Sequence, residues 1–151
     1  MLRLSKKMIY ALEAVVDIAY HGGAEPVQSR DISRRQEIPQ RYLEQVMQRL
    51  VRAGILKGVR GPKGGYRLAR ERRRILVSDV ASVVFELEAK DDVVAKGSTS
   101  ILAEKVVRPL WRDLRGSLMK ELADITIEEL CTRATKEGIK VETQEFADYS
   151  I

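Results

Sequence analysis

The sequence predicts a mainly α fold with one small β-hairpin: a winged helix-turn-helix domain plus a long dimerisation helix. Three observations predict it. Residues 40–53 place Leu43, Val46, Met47 and Leu50 on one helical face and Gln40, Arg41, Glu44, Gln45, Gln48 and Arg52 on the other. Directly after them, Arg60-Gly-Pro-Lys-Gly-Gly-Tyr66 forms a cation-tipped, Gly-rich turn between two short apolar runs. Further on, Val107, Leu110, Leu114, Leu118 and Leu122 recur every three or four residues, with Trp111 and Met119 widening the stripe. The composition agrees, because 44% apolar residues with only 5% aromatics make an aliphatic core that suits helices.

The elements follow in order. Ser5 is a favourable N-cap for a first helix running to about Tyr20, with Met8, Leu12, Val15, Ile18 and Ala19 as its inward stripe. Gly22-Gly23 ends that helix by permitting a left-handed backbone. A short second helix spans about Ser29 to Gln36, with Ile32 inward and Arg30, Arg34 and Arg35 outward. Glu37-Ile-Pro39 turns the chain into a third helix over about Gln40 to Ala53. Pro39, which lacks a backbone donor, belongs at its start. Two such helices meeting over a tight turn make a helix-turn-helix.

Gly54 stops the third helix, and residues 55–59 and 66–69 form the strands of a wing. Arg70-Glu-Arg-Arg-Arg74 is a solvated charge run, and Ser78 caps a fourth helix reaching about Glu86. Residues 88–100 read as a loop. A long helix over about Ile101 to Ile125 contains Pro109, which either kinks it or marks its true start. Thr126 and Glu129 form a capping box for a last helix to about Lys136, and the polar tail from Glu137 is expected to fray. The domain organisation is therefore 1–87 winged helix-turn-helix, 88–100 linker or sensor loop, 101–136 dimerisation region and 137–151 flexible tail.

Charge narrows the function. Residues 1–74 carry 17 Lys/Arg against 7 Asp/Glu, and residues 75–151 carry 10 against 15, so the basic excess belongs to the winged half. That half is built to approach a polyanion, and the partner expected is double-stranded DNA. A solvated basic face is the plain alternative, and it loses force because the cations fall on the groove-reading elements. The major groove admits one α-helix whose polar side chains reach base edges. Arg41, Gln45 and Gln48 are candidates for that reading. Glu44 can accept from a cytosine amino group, or instead pair with Arg41 or Gln48. Tyr42 can donate to a phosphate. In the wing, Arg60, Lys63 and Arg67 suit the DNA backbone or minor groove, and Gly61, Gly64 and Gly65 let the turn adopt angles other residues disfavour and approach closely. A nucleotide-cradling loop fits poorly, since it ends in Gly-Lys-Ser/Thr and opens a helix, whereas Gly64 follows Lys63 and a strand follows the turn.

The stripe Val107, Leu110, Trp111, Leu114, Leu118 and Leu122 needs a cover. The economical cover is the same helix of a second chain, antiparallel about a two-fold axis; packing on the chain's own first helix is the competing arrangement. A homodimer also matches a palindromic operator, whose half-sites lie one helical turn apart. No stretch approaches the roughly 18 apolar residues of a spanning helix, and no signal peptide is visible, so no membrane role and a cytoplasmic location are expected. One His and one Cys build neither a catalytic set nor a metal site, so no enzyme is expected. His21 sits at a helix end, where His often meets terminal carbonyls. A winged-helix adaptor binding protein rather than DNA is the alternative function.

Ala11, Asp31-Ile-Ser33, Tyr42-Leu-Glu-Gln45, Val59-Arg-Gly-Pro-Lys-Gly-Gly-Tyr66, Leu110-Trp-Arg-Asp-Leu114 and Ile125-Thr-Ile-Glu-Glu-Leu130 resemble the IscR/NsrR/CymR family of bacterial regulators. The likeness spans about residues 2–131. It implies a homodimeric winged-helix repressor joined through its long helix. Glu44 then corresponds to the recognition-helix glutamate and Arg60 to a wing arginine that enters the minor groove. Members that sense iron, nitric oxide or oxygen hold an iron–sulfur cluster on three cysteines ahead of the Leu-Trp-Arg-Asp-Leu segment. Here those positions fall near Val93, Thr99 and Lys105, and ligation needs thiolates, so no cluster and no other cofactor is expected. The signal then arrives through a ligand, a thiol or a partner protein, with loop 88–100 as the sensing or partner surface. Cys131 reads as a small buried hydrophobe, with a thiol switch or intersubunit disulfide as the alternative.

Overall fold

The structure, a computed structural model, describes residues 4–91 and 100–142. Among the described residues six α-helices and one hairpin follow the expected order: α1 Lys6–His21, α2 Ser29–Gln36, α3 Gln40–Arg52, β1 Leu56–Val59, β2 Gly65–Leu68, α4 Val77–Asp91, α5 Arg108–Leu122 and α6 Ile127–Lys136. The central element is α1, packed on α3, α4 and α6, because its inward face is almost wholly small or aliphatic: Met8, Ala11, Ala14, Val15, Ile18 and Ala19. Small residues let neighbouring helices come close, and Leu43, Met47, Leu50, Val80 and Ile127 fill the space between them. None of the described helices is long and apolar enough to cross a membrane.

Local chemistry sets the ends. Ser5 caps α1, its Oγ accepting the Met8 N–H at 3.2 Å, and Thr126 caps α6 by accepting from Glu129 at 3.1 Å. In the helix-turn-helix bend Glu37 takes a left-handed backbone (φ 54°), while Ser33 Oγ donates to the Ile38 carbonyl at 2.6 Å. Antiparallel β1 and β2 pair Leu56 with Leu68 and Val59 with Gly65. The α1–α2 connection joins this hairpin, since Val27 and Tyr66 exchange two backbone bonds of 2.9 and 2.8 Å. Gly65 is required there, because a Cβ on it would lie 2.3 Å from the Val27 carbonyl oxygen.

Several details depart from the sequence reading. Gly22 is extended (φ −72°, ψ 115°), not left-handed; it is needed because a Cβ would sit 2.3 Å from the Ile18 oxygen. Ser78 lies buried inside α4, and the cap is supplied by Asp79, whose carboxylate accepts the Leu76 N–H at 2.9 Å. That helix extends to Asp91, so the first residues assigned to loop 88–100 are helical, and 92–99 lie outside the described residues. Pro109 lies in the first turn of α5: helical residues 101–102 lead into a π-turn over Ala103–Val107, and α5 starts at Arg108. Proline cannot donate to the carbonyl four residues back and crowds it, and a π-turn shifts the register to accommodate this.

Two further departures concern charge. Arg35 does not face outward. It forms a two-pronged pair with Asp17, whose side chain is 0% exposed, at 2.8 and 2.9 Å, and Gln36 adds a third bond to the same carboxylate at 2.8 Å. At the other end of the chain, residues 137–142 are exposed but tied to α1 and α2 rather than frayed: Tyr20 Oη donates to the Ile139 carbonyl and Glu142 pairs with Arg34 and Arg35. The remainder of the tail, 143–151, lies outside the described residues.

Candidate nucleic-acid interface

The strong amphipathicity of α3 decides which side chains are available. Leu43, Val46, Met47 and Leu50 are buried against α1 and α2, which turns Arg41, Glu44, Gln45 and Gln48 to solvent along one face. Gln40 Nε2 donates to Glu44 Oε1 at 3.3 Å and to Ser29 Oγ at 3.0 Å, so Glu44 is oriented by Gln40 and not by Arg41 or Gln48. Among the described residues Arg41, Gln45 and Gln48 make no side-chain hydrogen bond. Uncommitted donors and acceptors on one helical ridge are what base edges require. Tyr42 is 40% exposed and tilts against Tyr10 at 6.3 Å, with the Arg41 guanidinium 5.6 Å from its ring.

Beside that ridge stands the wing. Arg60, Gly61, Pro62 and Lys63 are exposed at its tip, and Gly64 is half-buried where a Cβ would strike the Val59 oxygen at 2.3 Å. Arg60 has no ion pair among the described residues, whereas Lys63 Nζ lies 4.0 Å from Glu25. Arg67 is partly committed elsewhere, since its Nη2 donates to the Ala24 carbonyl at 2.7 Å and ties the wing to the α1–α2 connection. The structure thus brings together the predicted helix and wing residues, with Arg67 doing support work beside its exposed donors.

Between wing and α2 lies an open cleft of about 390 Å³ lined by Gln28, Ser29, Arg30, Gly61, Pro62 and Tyr66, residues the sequence reading had not joined. Here α2 begins without a side-chain cap, and Gln28 Oε1 instead accepts from Arg30 Nε at 2.8 Å. Uncapped helix N–H groups beside an arginine favour an anion. No local pattern in the sequence signalled this cleft, because it joins residues 28–30 to residues 61–66 across the fold.

The chain matches the Rrf2 family, described as an iron-dependent transcriptional regulator, over residues 4–133. This chain belongs to the Rrf2 family. It is similar to the HTH-type transcriptional regulator IscR of Vibrio parahaemolyticus (37% identity over 131 residues, 87% of this chain and 78% of that one). The IscR of Xenorhabdus nematophila is 40% identical over 129 residues, covering 85% and 79%. Among solved structures, IscR of T. potens superposes with a TM-score of 0.69 at 30% identity over 96% of each chain. CymR of B. subtilis, named as its global cysteine regulator, gives 0.65 at 29% over 88% of this chain and 98% of that one. The winged helix-turn-helix fold and a DNA-binding role in transcription regulation follow for this Rrf2 protein.

In this Rrf2 regulator the predicted dimerisation stripe divides. Val107, Leu110, Trp111 and Leu114 are exposed, Trp111 by 62%, while Leu118 is half-buried and Leu122 packs onto the chain's own core. Ile101, Leu102 and Val106 extend the exposed apolar face, beyond the residues named from sequence. The Arg115 guanidinium lies 4.1 Å from the Phe85 ring centroid and joins α5 to α4. Lys105, one of the three positions aligned with cluster cysteines, is exposed in the π-turn; Val93 and Thr99 lie outside the described residues. Cys131 is 3% exposed, and burial pushes its thiol up while Arg72 opposes that shift.

Proposed function

We propose that this Rrf2 protein is a cytoplasmic homodimeric repressor that reads a two-fold symmetric operator. The observation that carries the reading is the ridge of uncommitted polar side chains on α3 standing beside a cation-tipped wing. In this reading α3 enters the major groove, with Arg41, Gln45 and Gln48 at base edges and Glu44 accepting from a cytosine amino group. Arg60, Lys63 and the glycines Gly61 and Gly64 bring the wing against the backbone or minor groove. Tyr42 and the exposed donors of Arg67 serve phosphates.

The exposed apolar face of α5 supports a dimer, because a row holding Trp111, Leu110 and Leu114 in water is an unpaired hydrophobic patch. An iron–sulfur cluster does not fit the residues present. A three-cysteine site needs thiolates the sequence lacks, and the single thiol is buried in α6 beside Arg72. The regulator is therefore read as cluster-free, taking its signal from a ligand or partner around residues 88–100.

Selection from a random duplex pool at near-physiological salt tests this reading. Enrichment of a palindrome with half-sites about one helical turn apart is expected. Binding that enriches no sequence and disappears with modest salt reduces the basic half to a general electrostatic surface and overturns the reading.

A further inference from the structure

The last described residues do more than end the chain. Gly138 takes a left-handed backbone (φ 78°) just past α6, and the bonds from Gly138 N–H to Thr135 and from Ile139 N–H to Ala134 close a Schellman turn. The chain is thereby reversed onto α1. Residues 139–142 are then held at three points: Tyr20 Oη donates to the Ile139 carbonyl, the Glu142 N–H donates to His21 Nδ1 at 2.9 Å, and the Glu142 carboxylate accepts from Arg34 and Arg35 at 2.9 and 3.2 Å. Arg35 is at the same time the partner of buried Asp17. One carboxylate therefore ties the C-terminal strap, α1 and the first helix of the helix-turn-helix together.

We propose that this strap is a pH-sensitive latch on the DNA-binding domain, closed when His21 is neutral and opened when His21 takes up a proton. The chemistry is a reversal of polarity at one atom. Neutral Nδ1 accepts the Glu142 N–H; protonated Nδ1 is itself a donor, so two donors face each other and the contact is lost. His21 is buried, so the closed strap leaves its ring little water to solvate a charge.

Groups from every packed element face this ring: Asp17 on α1, Arg34 and Arg35 on α2, Glu142 on the strap, and Thr135 of α6 through the Tyr20 hydroxyl. Burial lowers the His21 pKa below the ordinary 6.5, and the two acids oppose that shift while the two arginines add to it. The sign follows. The open state binds the proton more readily, so closure is fully favoured above the unperturbed value, and each step below it favours opening until closed His21 itself titrates. Opening removes Glu142 from Arg34 and Arg35 and leaves the bonds of Arg35 and Gln36 to Asp17 as the remaining ties of that end of α2 to α1, which loosens its placement beside α3.

This regulation rests on the proposed DNA reading for its consequence, but not for its detection. His21 is the only histidine, so its imidazole signals in the full chain are unambiguous by NMR. Between pH 7.5 and 5.5 the Glu142 amide protection factor is expected to fall by up to about tenfold in step with the imidazole titration. In His21→Asn, whose side-chain oxygen keeps an acceptor and cannot titrate, protection stays flat. Operator affinity weakens at least about threefold across the same window in the wild type and not in His21→Asn. Constant protection in the wild type, or the same pH dependence in His21→Asn, overturns the latch. Should that variant not fold, the wild-type coincidence of the two titrations decides alone, and separate midpoints refute it. An open strap with unchanged operator affinity overturns the regulatory role. Absence of operator binding at pH 7.5 sinks the proposed function instead and leaves the strap measurement standing.

Discussion

Replacing Asp17 by Asn tests whether the buried pair with Arg35 sets the geometry of the helix-turn-helix. The Asp17 side chain is fully buried and accepts three bonds, two from Arg35 and one from Gln36; Arg35 is itself only 10% exposed. Asparagine keeps the shape, but it removes the charge and turns one acceptor into a donor facing a guanidinium N–H. Breaking a buried pair from one side costs about 3–5 kcal/mol, because the remaining charge is left desolvated. Glu142, 3.2 Å from Arg35, offsets part of that, so a loss near the lower bound, about 3 kcal/mol, is expected. At roughly 2–4 °C per kcal/mol for a chain of this size, Tm falls by roughly 6–12 °C. Circular dichroism melts read this directly, with urea titration as a check on the slope. A double replacement, Asp17→Leu with Arg35→Met, is expected to recover most of the loss, since an apolar pair of similar volume removes both charges together. A Tm within about 2 °C of wild type in Asp17→Asn refutes the argument that this pair pins α2 to α1.

The remaining predictions concern the interface and the thiol. Glu44→Ala is expected to relax preference at one operator position by about 1–3 kcal/mol, leaving affinity for non-specific DNA nearly unchanged in a competition binding assay. Arg60→Ala should weaken binding to all sequences and reduce the slope of log affinity against log salt by about 1, measured by fluorescence anisotropy from low to moderate salt. Leu114→Glu places a charge in the exposed α5 face and is expected to yield a folded monomer by sedimentation equilibrium; a persistent dimer would show that another surface joins the chains. Cys131→Ser should leave the peroxide response of DNA binding unchanged, because a thiol 3% exposed and raised by burial offers little thiolate.

Much was legible in the sequence because it depended on local or periodic chemistry. The face of α3 follows from 3.6-residue periodicity, so Leu43, Val46, Met47 and Leu50 could be placed inward and Arg41, Glu44, Gln45 and Gln48 outward without coordinates. Caps at Ser5 and Thr126 are contacts between residues three apart, and both stand as read. Gly54 and the Gly-rich wing were also visible, since few other residues satisfy those turns. Glycine identity alone, however, did not give the reason at Gly22, where the constraint is the nearness of the Ile18 carbonyl and not a left-handed backbone.

What only the tertiary structure decided are the contacts between residues distant in the chain. Nothing in a pattern of periodicity distinguishes Arg35, buried against Asp17 at a separation of 18 residues, from solvent-facing Arg34. Glu142 reaches His21 from 121 residues away, so a polar tail read as frayed is held down. The apolar stripe beyond Pro109 could likewise be seen in sequence but not divided. Leu122 packs on this chain's own core while Trp111, on the same face about three turns earlier, is exposed, because only the C-terminal part of α5 reaches the core, and where a helix meets its neighbours is a property of the elements together. Local pattern determines which residues can pair with a neighbour a turn away; only the packed fold determines which partner a buried charge finds.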